Sequence, residues 1–575
     1  MTSRIPGSSG PTCATGEGSV KFPAMAKSGP TTGYRPFSNL AFLLFAALGL
    51  FAQNRPMSST STRVDVDSSK LLVTPAASDW LSYNGDYSGR RYSALREINR
   101  GNVSQLRAQW VFHTPNSSHL EVTPVAVDGL LFVTAANDAY ALDAQTGRTV
   151  WHYTRPITEG LVDDASQHHN RGVGVWHSRI YMETDNAHLL CLDARSGHLI
   201  WEVAYAVGNR NYGATSAPLV VKDKVLVGTS GGDDGVRGFL AAFDAESGRE
   251  SWRFWTIPAP GEFGSASWPG ESYQRGGGTT WMPGTFDPEL NTIFWGTSNP
   301  APDFDGGPRP GDDLYTDCLL ALDPDTGKLK WYFQFTPHDL FDYDAVETPV
   351  LVDTNFKGQP RKLVVEANRN GFLYVLDRTN GSFLSATRFS EKLNWATGID
   401  ETGRPMRTGL QPTEAGTRIC PGMVGATNWH SPAFHPETSL FYFMALESCD
   451  VYMQGAQKFE PGQMYYATGV RRSEGDQNQK ILLAYALEGD KPAWRYVQAG
   501  EGHSSGGVMA TAGGLLFFGN DARSFEAVDA LTGESLWHFN TGQDISASPM
   551  TYAVRTKQYV AIAAGGDIFS FALPN

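Results

Sequence analysis

One short repeated pattern constrains this chain more than any other feature. Each copy has an apolar, strand-like run, then Asp-x-x-Thr/Ser-Gly, then three residues and a tryptophan. The Asp and Gly favour a tight turn between two strands, and the tryptophan can pack between neighbouring sheets. Complete copies end at Trp151, Trp201, Trp252, Trp331 and Trp537. Partial copies end at Ser385, which stands in the tryptophan position, at Trp494 and at Trp110.

The spacing of these eight units predicts the fold class. Successive end positions are 41, 50, 51, 79, 54, 109 and 43 residues apart. Periods of about 40–50 residues with about four strands each are typical of propeller blades. A solenoid would also repeat, but the hairpin turns and regular aromatic residues favour an all-β, eight-bladed β-propeller. The two long intervals predict insertions on one face, where binding sites of closed β-folds lie.

The N-terminus predicts export. Residues 40–52 (LAFLLFAALGLFA) form an apolar run of 13 residues, which is too short to span a bilayer comfortably but suits a signal peptide. We therefore predict a leader with a signal peptide over 1–52, a polar linker over 53–77 and the propeller over 78–575, in a periplasmic protein. An uncleaved membrane anchor is the alternative.

Charge and cysteines limit the remaining classes. The formal net charge of −14 argues against nucleic-acid binding. Cys191 and Cys318 lie in apolar runs and are expected to be buried thiols. Cys420 and Cys449 lie in loop-like sequence and are predicted to form a disulfide in an oxidising compartment. No CxxCH motif is present, so covalently bound haem is not expected in this chain.

The segment Thr336–Asp344 (TPHDLFDYD) is the strongest candidate for chemistry. It contains three aspartates and a histidine. On an extended backbone Asp342 and Asp344 would point the same way, and two carboxylates that close require a neutralising cation. The segment therefore indicates a metal site with a catalytic carboxylate. A solvated acidic loop is the alternative.

Together with the repeats, several motifs give the chain a family resemblance. They are DWLSYNGDYSGRRYSAL, TTWMPGTFDP, WGTSNPAP, HDLFDYD, ANRNGFLYVLDRTNG and ICPGMVGATNW. Over residues 79–575 the chain resembles the quinoprotein alcohol dehydrogenases that use pyrroloquinoline quinone (PQQ). The resemblance implies a periplasmic enzyme that oxidises an alcohol, or a sugar or polyol, and passes electrons to a cytochrome c. The oligomeric state stays open, with a homodimer as one alternative.

The resemblance also implies roles for individual residues. Trp281 matches the tryptophan on which PQQ stacks, and Arg171 matches the arginine that pairs with a PQQ carboxylate. Asp342 matches the catalytic base, and Arg369 matches a cation beside the reacting carbonyl. The remaining predicted cofactor contacts are Thr215, Ser230 and Asn428.

Asp233, Asn299, Asp342 and Asp344 match the metal ligands. Hard oxygen ligands suit Ca²⁺ or a lanthanide. Asp344 resembles the lanthanide-using members, so a lanthanide(III) is preferred and Ca²⁺ is the alternative. Asp233 stands where many relatives have glutamate, and Asp234 is an alternative ligand. Glu347, nearby, is expected at the surface.

The chain also departs from many relatives at the cofactor cover. Those relatives place a disulfide between adjacent cysteines there, whereas this chain has Ala165 and Ser166. His168 or His169 is a candidate for covering the cofactor instead. The rival hypothesis for the whole chain is a non-catalytic propeller that serves as a binding or assembly scaffold. Such a scaffold would need the blade repeats but not Trp281, Asn299, Asp342, Asp344 and Arg369 together.

Overall fold

The computed structural model describes residues 64–115, 117–206, 211–500 and 506–574. The predicted leader (1–52) and residues 53–63 of the predicted linker lie outside this range. No helix in the part of the chain that the structure describes is long and apolar enough to cross a membrane.

The described residues form eight sheets of four or five strands, which confirms the eight-bladed propeller. Strands are given from the innermost outward, and the blades are numbered in chain order. Blade 1 contains Val125–Val127, Leu130–Ala135, Asp138–Asp143 and Thr149–Thr154; blade 2 contains Gly174–Trp176, Arg179–Glu183, His188–Asp193 and Leu199–Ala204; blade 3 contains Leu219–Val221, Lys224–Val227, Phe239–Asp244 and Glu250–Trp255; blade 4 contains Thr285–Asp287, Thr292–Gly296, Cys318–Leu322 and Leu329–Gln334.

The other four blades complete the ring. Blade 5 contains Val350–Phe356, Gln359–Ala367, Phe372–Asp377 and Ser382–Arg388; blade 6 contains Ala433–His435, Leu440–Glu447, Gln479–Ala486 and Trp494–Val497; blade 7 contains Val508–Thr511, Leu515–Asn520, Ser524–Asp529 and Ser535–Asn540, with Tyr92–Ser93 added in parallel; blade 8 contains Met550–Val554, Lys557–Ala564, Asp567–Ala572 and Arg107–His113. Blade 8 therefore closes the ring, because its outer strand comes from near the N-terminus and its other three come from the C-terminus.

A few short elements lie outside the blades. Two small sheets lie within the insertions before and within blade 6, as the long sequence interval predicts. They contain Ala396–Ile399 with Pro405–Arg407, and Thr417–Ile419 with Asp450–Gln454 and Thr468–Arg472. The helical turns are Ser68–Leu71, Val103–Gln105, Asp163–Ser166, Ser265–Ser267 and Ser272–Arg275. Cys420 and Cys449 form the predicted disulfide, and Cys191 and Cys318 are buried thiols.

The repeated tryptophans join neighbouring blades. Trp151, on the outer strand of blade 1, packs against Gly197 in the turn of blade 2, and its indole nitrogen donates to the Ala194 carbonyl at 3.0 Å. The same ring-on-glycine contact joins Trp110 to Gly147, Trp201 to Gly248, Trp252 to Gly327, Trp331 to Gly381 and Trp494 to Gly533. The repeat glycine therefore serves two purposes, since it adopts a positive φ and leaves room for the ring.

The repeat aspartate stabilises the same turn. In blade 1, Asp143 Oδ1 accepts hydrogen bonds from the backbone nitrogen and the hydroxyl of Thr146, at 2.9 and 2.7 Å. Asp193 makes the same pair of contacts with Ser196 in blade 2. The Asp-x-x-Thr/Ser-Gly pattern thus encodes the turn between the third and fourth strands of a blade.

The linker prediction is wrong for residues 64–77. Val66 pairs with His177 next to blade 2, Leu71 lies in the hydrophobic core, and Ala76 bridges to Ser93. A few apolar residues in an otherwise polar stretch are sufficient here, because Val66, Leu71 and Ala76 pack into hydrophobic cores formed mainly by the blades. The folded body therefore begins before Ser78.

Gly327→Ala tests the blade joint. Gly327 has φ +69°, and a Cβ added there would lie 2.5 Å from the Trp252 ring. The strained backbone and the clash together should lower the free energy of unfolding by about 2–4 kcal/mol. Gly358→Ala is the matched control, because Gly358 has φ +76° with no atom within 4 Å of the added Cβ among the described residues. Equal losses in thermal or urea unfolding would contradict the role of the tryptophan contact.

Candidate functional site

The predicted site residues come from loops at one end of the blades. Arg171, Thr215, Trp281, Asp342, Asp344 and Asn428 precede the innermost strands of blades 2 to 6, whereas Ser230, Asp233, Asn299 and Arg369 follow the second strands of blades 3 to 5. The start of one strand and the end of its antiparallel neighbour lie at the same end of a sheet. All ten residues line one cavity of about 340 Å³, which falls within the usual range for small-molecule sites.

Arg369 brings the two candidate carboxylates together. Its Nη2 lies 2.6 Å from Asp344 Oδ2, and its Nη1 lies 3.5 Å from Asp342 Oδ1. Nη1 also donates to the Asp342 backbone carbonyl at 2.9 Å. All three side chains are buried. The expected pairing of Asp342 and Asp344 at one place is therefore observed.

The reason for that pairing differs from strand alternation. Residues 336–344 form a loop rather than a strand, and Asp342 has φ +61°, which is left-handed for a residue other than glycine. Asp339 holds this loop, because its carboxylate accepts hydrogen bonds from the backbone nitrogens of Phe341 and Tyr343 at 3.1 and 2.8 Å. Asp339 is thus a structural residue, and the loop directs Asp342 toward the cavity.

Two further residues fix the position of Asp344. The Asn299 backbone nitrogen donates to Asp344 Oδ1 at 2.8 Å. The Trp281 side chain lies close enough to Asp344 to lower the pKa of its carboxyl group and favour its ionised form. Asp344 consequently connects the tryptophan, the amide and the arginine that the sequence motifs single out.

The buried carboxylates are difficult to ionise together. Burial raises the pKa of Asp342 well above its usual range, and Asp233, Asp344 and Asp339 raise it further, against the lowering effect of Arg369. Burial likewise raises the pKa of Asp344, although Arg369 opposes this. Arg369 alone does not balance Asp233, Asp342 and Asp344, so this part of the cavity suits an additional cation.

Arg171 also lines the cavity. Its guanidinium carbon lies 5.0 Å from the ring centre of Trp281 and 4.6 Å from that of Trp429. Nη2 lies 2.5 Å from Glu121 Oε2, and Nη1 donates to the Thr215 carbonyl at 2.9 Å. The cavity therefore combines two flat aromatic faces with a fixed cation, which suits a planar anion.

Several polar atoms of the cavity residues are buried without a partner in the described chain. They include Ser230 Oγ, Asn299 Nδ2, Arg171 Nε and Arg369 Nε. Buried polar atoms are normally hydrogen-bonded, so these atoms mark contacts that a ligand would complete. Hydroxyl, amide and guanidinium groups around a tryptophan fit a planar quinone with carboxylates. The oxygens of Asp233, Asp342, Asp344 and Asn299 fit a hard cation.

Asp233 and Asp234 differ in position. Asp233 lines the cavity, whereas Asp234 is buried without lining it. Asn428 Oδ1 lies 3.3 Å from Arg369 Nη2, so this amide adjoins the candidate catalytic cation.

The sequence patterns did not predict a fourth acidic residue near this cation site. Asp303 is buried, and both its carboxylate oxygens lack a hydrogen-bond partner among the residues the structure describes. Burial raises its pKa well above the usual range, followed by the charges of Asp233 and Asp342. Asp303 lies four residues after Asn299 and directly follows the WGTSNPAP motif. Its position next to a predicted metal ligand could therefore have identified it from the sequence.

Other cavity residues were also missed. Glu121, Asp163, Tyr466 and Trp429 line the cavity. Only Trp429 could have been found, because it follows Asn428 in the GATNW motif. The ion pair between Glu121 and Arg171 joins positions 50 residues apart, and no local pattern predicts it.

The expectation that Glu347 lies at the surface is wrong. Its side chain is buried beside Arg369, and burial raises its pKa to about 8. Among the candidates for covering the cofactor, His169 lines the cavity and His168 does not. Ala165 is buried and Ser166 is exposed in the turn Asp163–Ser166.

A scan against family models matches this chain to the glucose/ethanol/alcohol dehydrogenase β-propeller domain of the PQQ group, over residues 80–389 and 490–560. The matched residues include the candidate site except for Asn428. The match therefore covers both the blade repeats and the acidic loop.

Comparisons with individual proteins also show similarity to alcohol dehydrogenases of this group. The chain is 36% identical to a quinohemoprotein alcohol dehydrogenase of Comamonas testosteroni, over 93% of this chain and 80% of that protein. It is 34% identical to a lanthanide-dependent methanol dehydrogenase of Methylacidiphilum fumariolicum, over 92% of this chain and 90% of that protein. A solved europium-containing methanol dehydrogenase superposes with a TM-score of 0.82 at 32% identity, covering 88% of this chain and all of that one.

Glu347→Gln tests the burial of a carboxyl group beside Arg369. The raised pKa means that Glu347 contributes stability that is fully present below pH 4.5 and is lost as the pH rises through about 8. Glutamine resembles the protonated form at every pH. Metal-free Glu347→Gln protein should therefore gain about 1 kcal/mol or more relative to wild type between pH 6 and pH 9. Exposed Glu401→Gln is the control, and parallel thermal-unfolding profiles for both variants would contradict this burial.

Proposed function

The chain belongs to the family of PQQ-dependent alcohol dehydrogenases, and we propose that it oxidises a small primary alcohol to the carbonyl compound in a metal-assisted reaction. We favour this function over a non-catalytic scaffold. The relatives that align with most of this chain are named as dehydrogenases. The observation that carries the proposal is the convergence of Asp342, Asp344, Arg369, Asn299 and Trp281 on one cavity.

We assign PQQ binding to the aromatic and cationic side of the cavity. Trp281 supplies a flat face, and Arg171 supplies a guanidinium fixed by Glu121 and the Thr215 carbonyl. The unpartnered Ser230 hydroxyl, together with Thr215 and Asn428, provides hydrogen bonds around the ring system. Bound PQQ beside a Lewis-acidic cation supplies the acceptor for the substrate hydride.

Asp342 is the proposed general base. Its carboxylate opens into the cavity and, when ionised, can take the proton of the substrate hydroxyl. Arg369 favours that ionised form and holds the loop through the Asp342 carbonyl. The left-handed backbone at Asp342 keeps the carboxylate in place, so little reorganisation is needed when the proton moves.

We propose that Asp233, Asn299, Asp342 and Asp344 hold the cation and that this ion is a lanthanide(III), with Ca²⁺ as the alternative. The count of negative groups supports a trivalent ion. The three candidate ligand carboxylates line the cavity beside Arg369, and Asp303 lies buried near Asp233 and Asp342. Arg369 offsets only one of these charges, and a higher ion charge stabilises the remainder better.

The size of the cavity and the position of two apolar side chains favour a small alcohol over a sugar or polyol. The volume of about 340 Å³ must hold both the tricyclic quinone and the substrate. Met423 and Val424 line the cavity close to Asn428, whose amide donates to the Val424 carbonyl at 3.0 Å. Their apolar side chains suit an alkyl group and provide no hydrogen bonds to additional hydroxyls.

The proposal also includes the electron acceptor and the cellular location of the protein. No CxxCH motif is present in the sequence, so we propose a separate cytochrome c as the electron acceptor. The apolar run at 40–52 and the disulfide between Cys420 and Cys449 support a periplasmic location. A homodimer is compatible with this assignment.

Trp281→Ala tests the cofactor side. Loss of the aromatic face should weaken PQQ binding about 3- to 10-fold, because such ring contacts contribute roughly 0.5–1.5 kcal/mol. Absorbance titration of the apoprotein with PQQ measures this affinity. Trp281→Phe is the matched control and should retain most of it. Failure of the wild-type chain to bind PQQ with either Ca²⁺ or La³⁺ would contradict the proposed function.

Asp344→Ala tests the metal assignment. Apoprotein reconstituted with PQQ should show dye-linked alcohol oxidation with La³⁺ and much less with Ca²⁺. Removing Asp344 should lower the La³⁺-dependent activity and the La³⁺ affinity at least 10-fold, since a buried anionic ligand is lost. Asp325→Ala removes an exposed carboxylate and serves as the control. Higher activity with Ca²⁺ than with La³⁺ in the wild type would contradict the lanthanide assignment.

A further inference from the structure

A second group of metal-ligand side chains lies at the edge of the cavity beside Arg171. It consists of His119, Glu121 and His169, whose ligand atoms all lie within 4.8 Å of one another. His169 Nδ1 lies 2.5 Å from Glu121 Oε1, and His119 Nε2 lies 3.6 Å from the same oxygen. The two imidazole ring centres are 5.3 Å apart. Two imidazoles thus converge on one carboxylate oxygen.

Hydrogen bonding alone does not account for this arrangement. The His169 contact is shorter than an ordinary N–H···O bond, and the 3.6 Å contact of His119 is within ion-pair distance but too long for a hydrogen bond. The other oxygen of Glu121 lies 2.5 Å from Arg171 Nη2, so the carboxylate cannot turn freely. A carboxylate oriented by a neighbouring group is a common feature of metal sites. Two histidines and one glutamate with an open fourth position form a known zinc ligand set.

The chemistry of this group differs from that of the aspartate site. Imidazole nitrogens suit Zn²⁺, Co²⁺, Ni²⁺ and Cu²⁺, whereas carboxylate and amide oxygens suit Ca²⁺ and the lanthanides. The two sites should therefore select different ions from a mixture. A transition metal at the histidine group need not compete with the ion at Asp342 and Asp344.

The group also joins two separate segments of the chain. His119 and Glu121 lie between the outer strand of blade 8 and the first strand of blade 1. His169 lies in the segment 163–171, which lines the cavity through Asp163, Gln167, His169 and Arg171. Asp163 accepts a hydrogen bond from the Tyr466 hydroxyl at one end of this segment, and Arg171 holds the other end through Glu121. An ion at His169 would fix the part in between.

We propose that His119, Glu121 and His169 bind a divalent first-row transition-metal ion, which clamps segment 163–171 to the His119 segment at the edge of the cofactor cavity. The metal site stands independently of the proposed catalytic function. Its consequence for the cofactor, slower release of bound PQQ, rests on that function.

Co²⁺ titration of the untagged full-length chain tests the site, with La³⁺ or Ca²⁺ saturating the oxygen ligands. Wild type should bind one Co²⁺ per chain with the visible absorption of a low-coordinate complex. His119→Ala and His169→Ala should each lower the affinity at least 10-fold. His119 is exposed, so the first variant should fold normally. His152→Ala is the matched control, because His152 pairs with Asp138 at 2.7 Å and does not line the cavity. Equal Co²⁺ affinity in all four proteins would overturn the site.

The rate of PQQ release tests whether the bound ion clamps segment 163–171. Release of bound PQQ into excess apoprotein should slow at least fivefold when Zn²⁺ is added to wild type, and Zn²⁺ should have no effect in His119→Ala. An unchanged release rate in wild type would overturn the clamp. If PQQ does not bind at all, the proposed function fails, while the Co²⁺ titration still decides the metal site.

Discussion

Mutual repulsion among buried carboxylates is the constraint around which the site is organised. Asp342, Asp344 and Asp233 line one cavity, Asp303 lies buried nearby, and Arg369 contacts only two of them. Isolated loops could not hold these charges together, because each carboxylate would turn into water instead. Eight blades joined in a closed ring remove that freedom. The stability of the propeller therefore maintains a charge arrangement that a bound cation and an anionic cofactor complete.

The joints between blades and the geometry of the site serve different physical needs. Six of the blade joints use a tryptophan ring on a left-handed glycine, a contact made of apolar surface and, at four of them, an indole hydrogen bond. The site uses buried ions, a left-handed aspartate and polar atoms without partners in the described chain. The repeated tryptophan–glycine contacts stabilise the folded ring. This stabilisation offsets the free-energy cost of the buried charges and the strained backbone in the site. This division explains how functional strain is tolerated near the axis of the ring.

The arginines show how one residue type performs two tasks in the same cavity. Arg369 is surrounded by acidic groups, and Asp344, Asp342 and Glu347 raise its pKa against burial. It fixes the position of the catalytic loop through both backbone and side chain. Arg171 lies against the rings of Trp281 and Trp429 and pairs with Glu121, so its guanidinium is held at the cavity wall. Lysine could not replace either, because both sites use the width of the guanidinium group.

The sequence by itself determined the ring and most of the candidate site. Eight spaced units predicted eight blades, since each Asp-Gly turn and its tryptophan encode a local hairpin and a docking ring. The order of the motifs predicted ten residues that indeed share one cavity.

Only the tertiary structure decided what depends on distant contacts. It placed residues 64–77 on the propeller, buried Glu347 beside Arg369, and brought Glu121 to Arg171 and the two histidines. It also replaced the expected strand at Asp342 with a loop held by Asp339. Local patterns encode turns and periodicity, whereas burial and ion pairing arise only when separate loops meet.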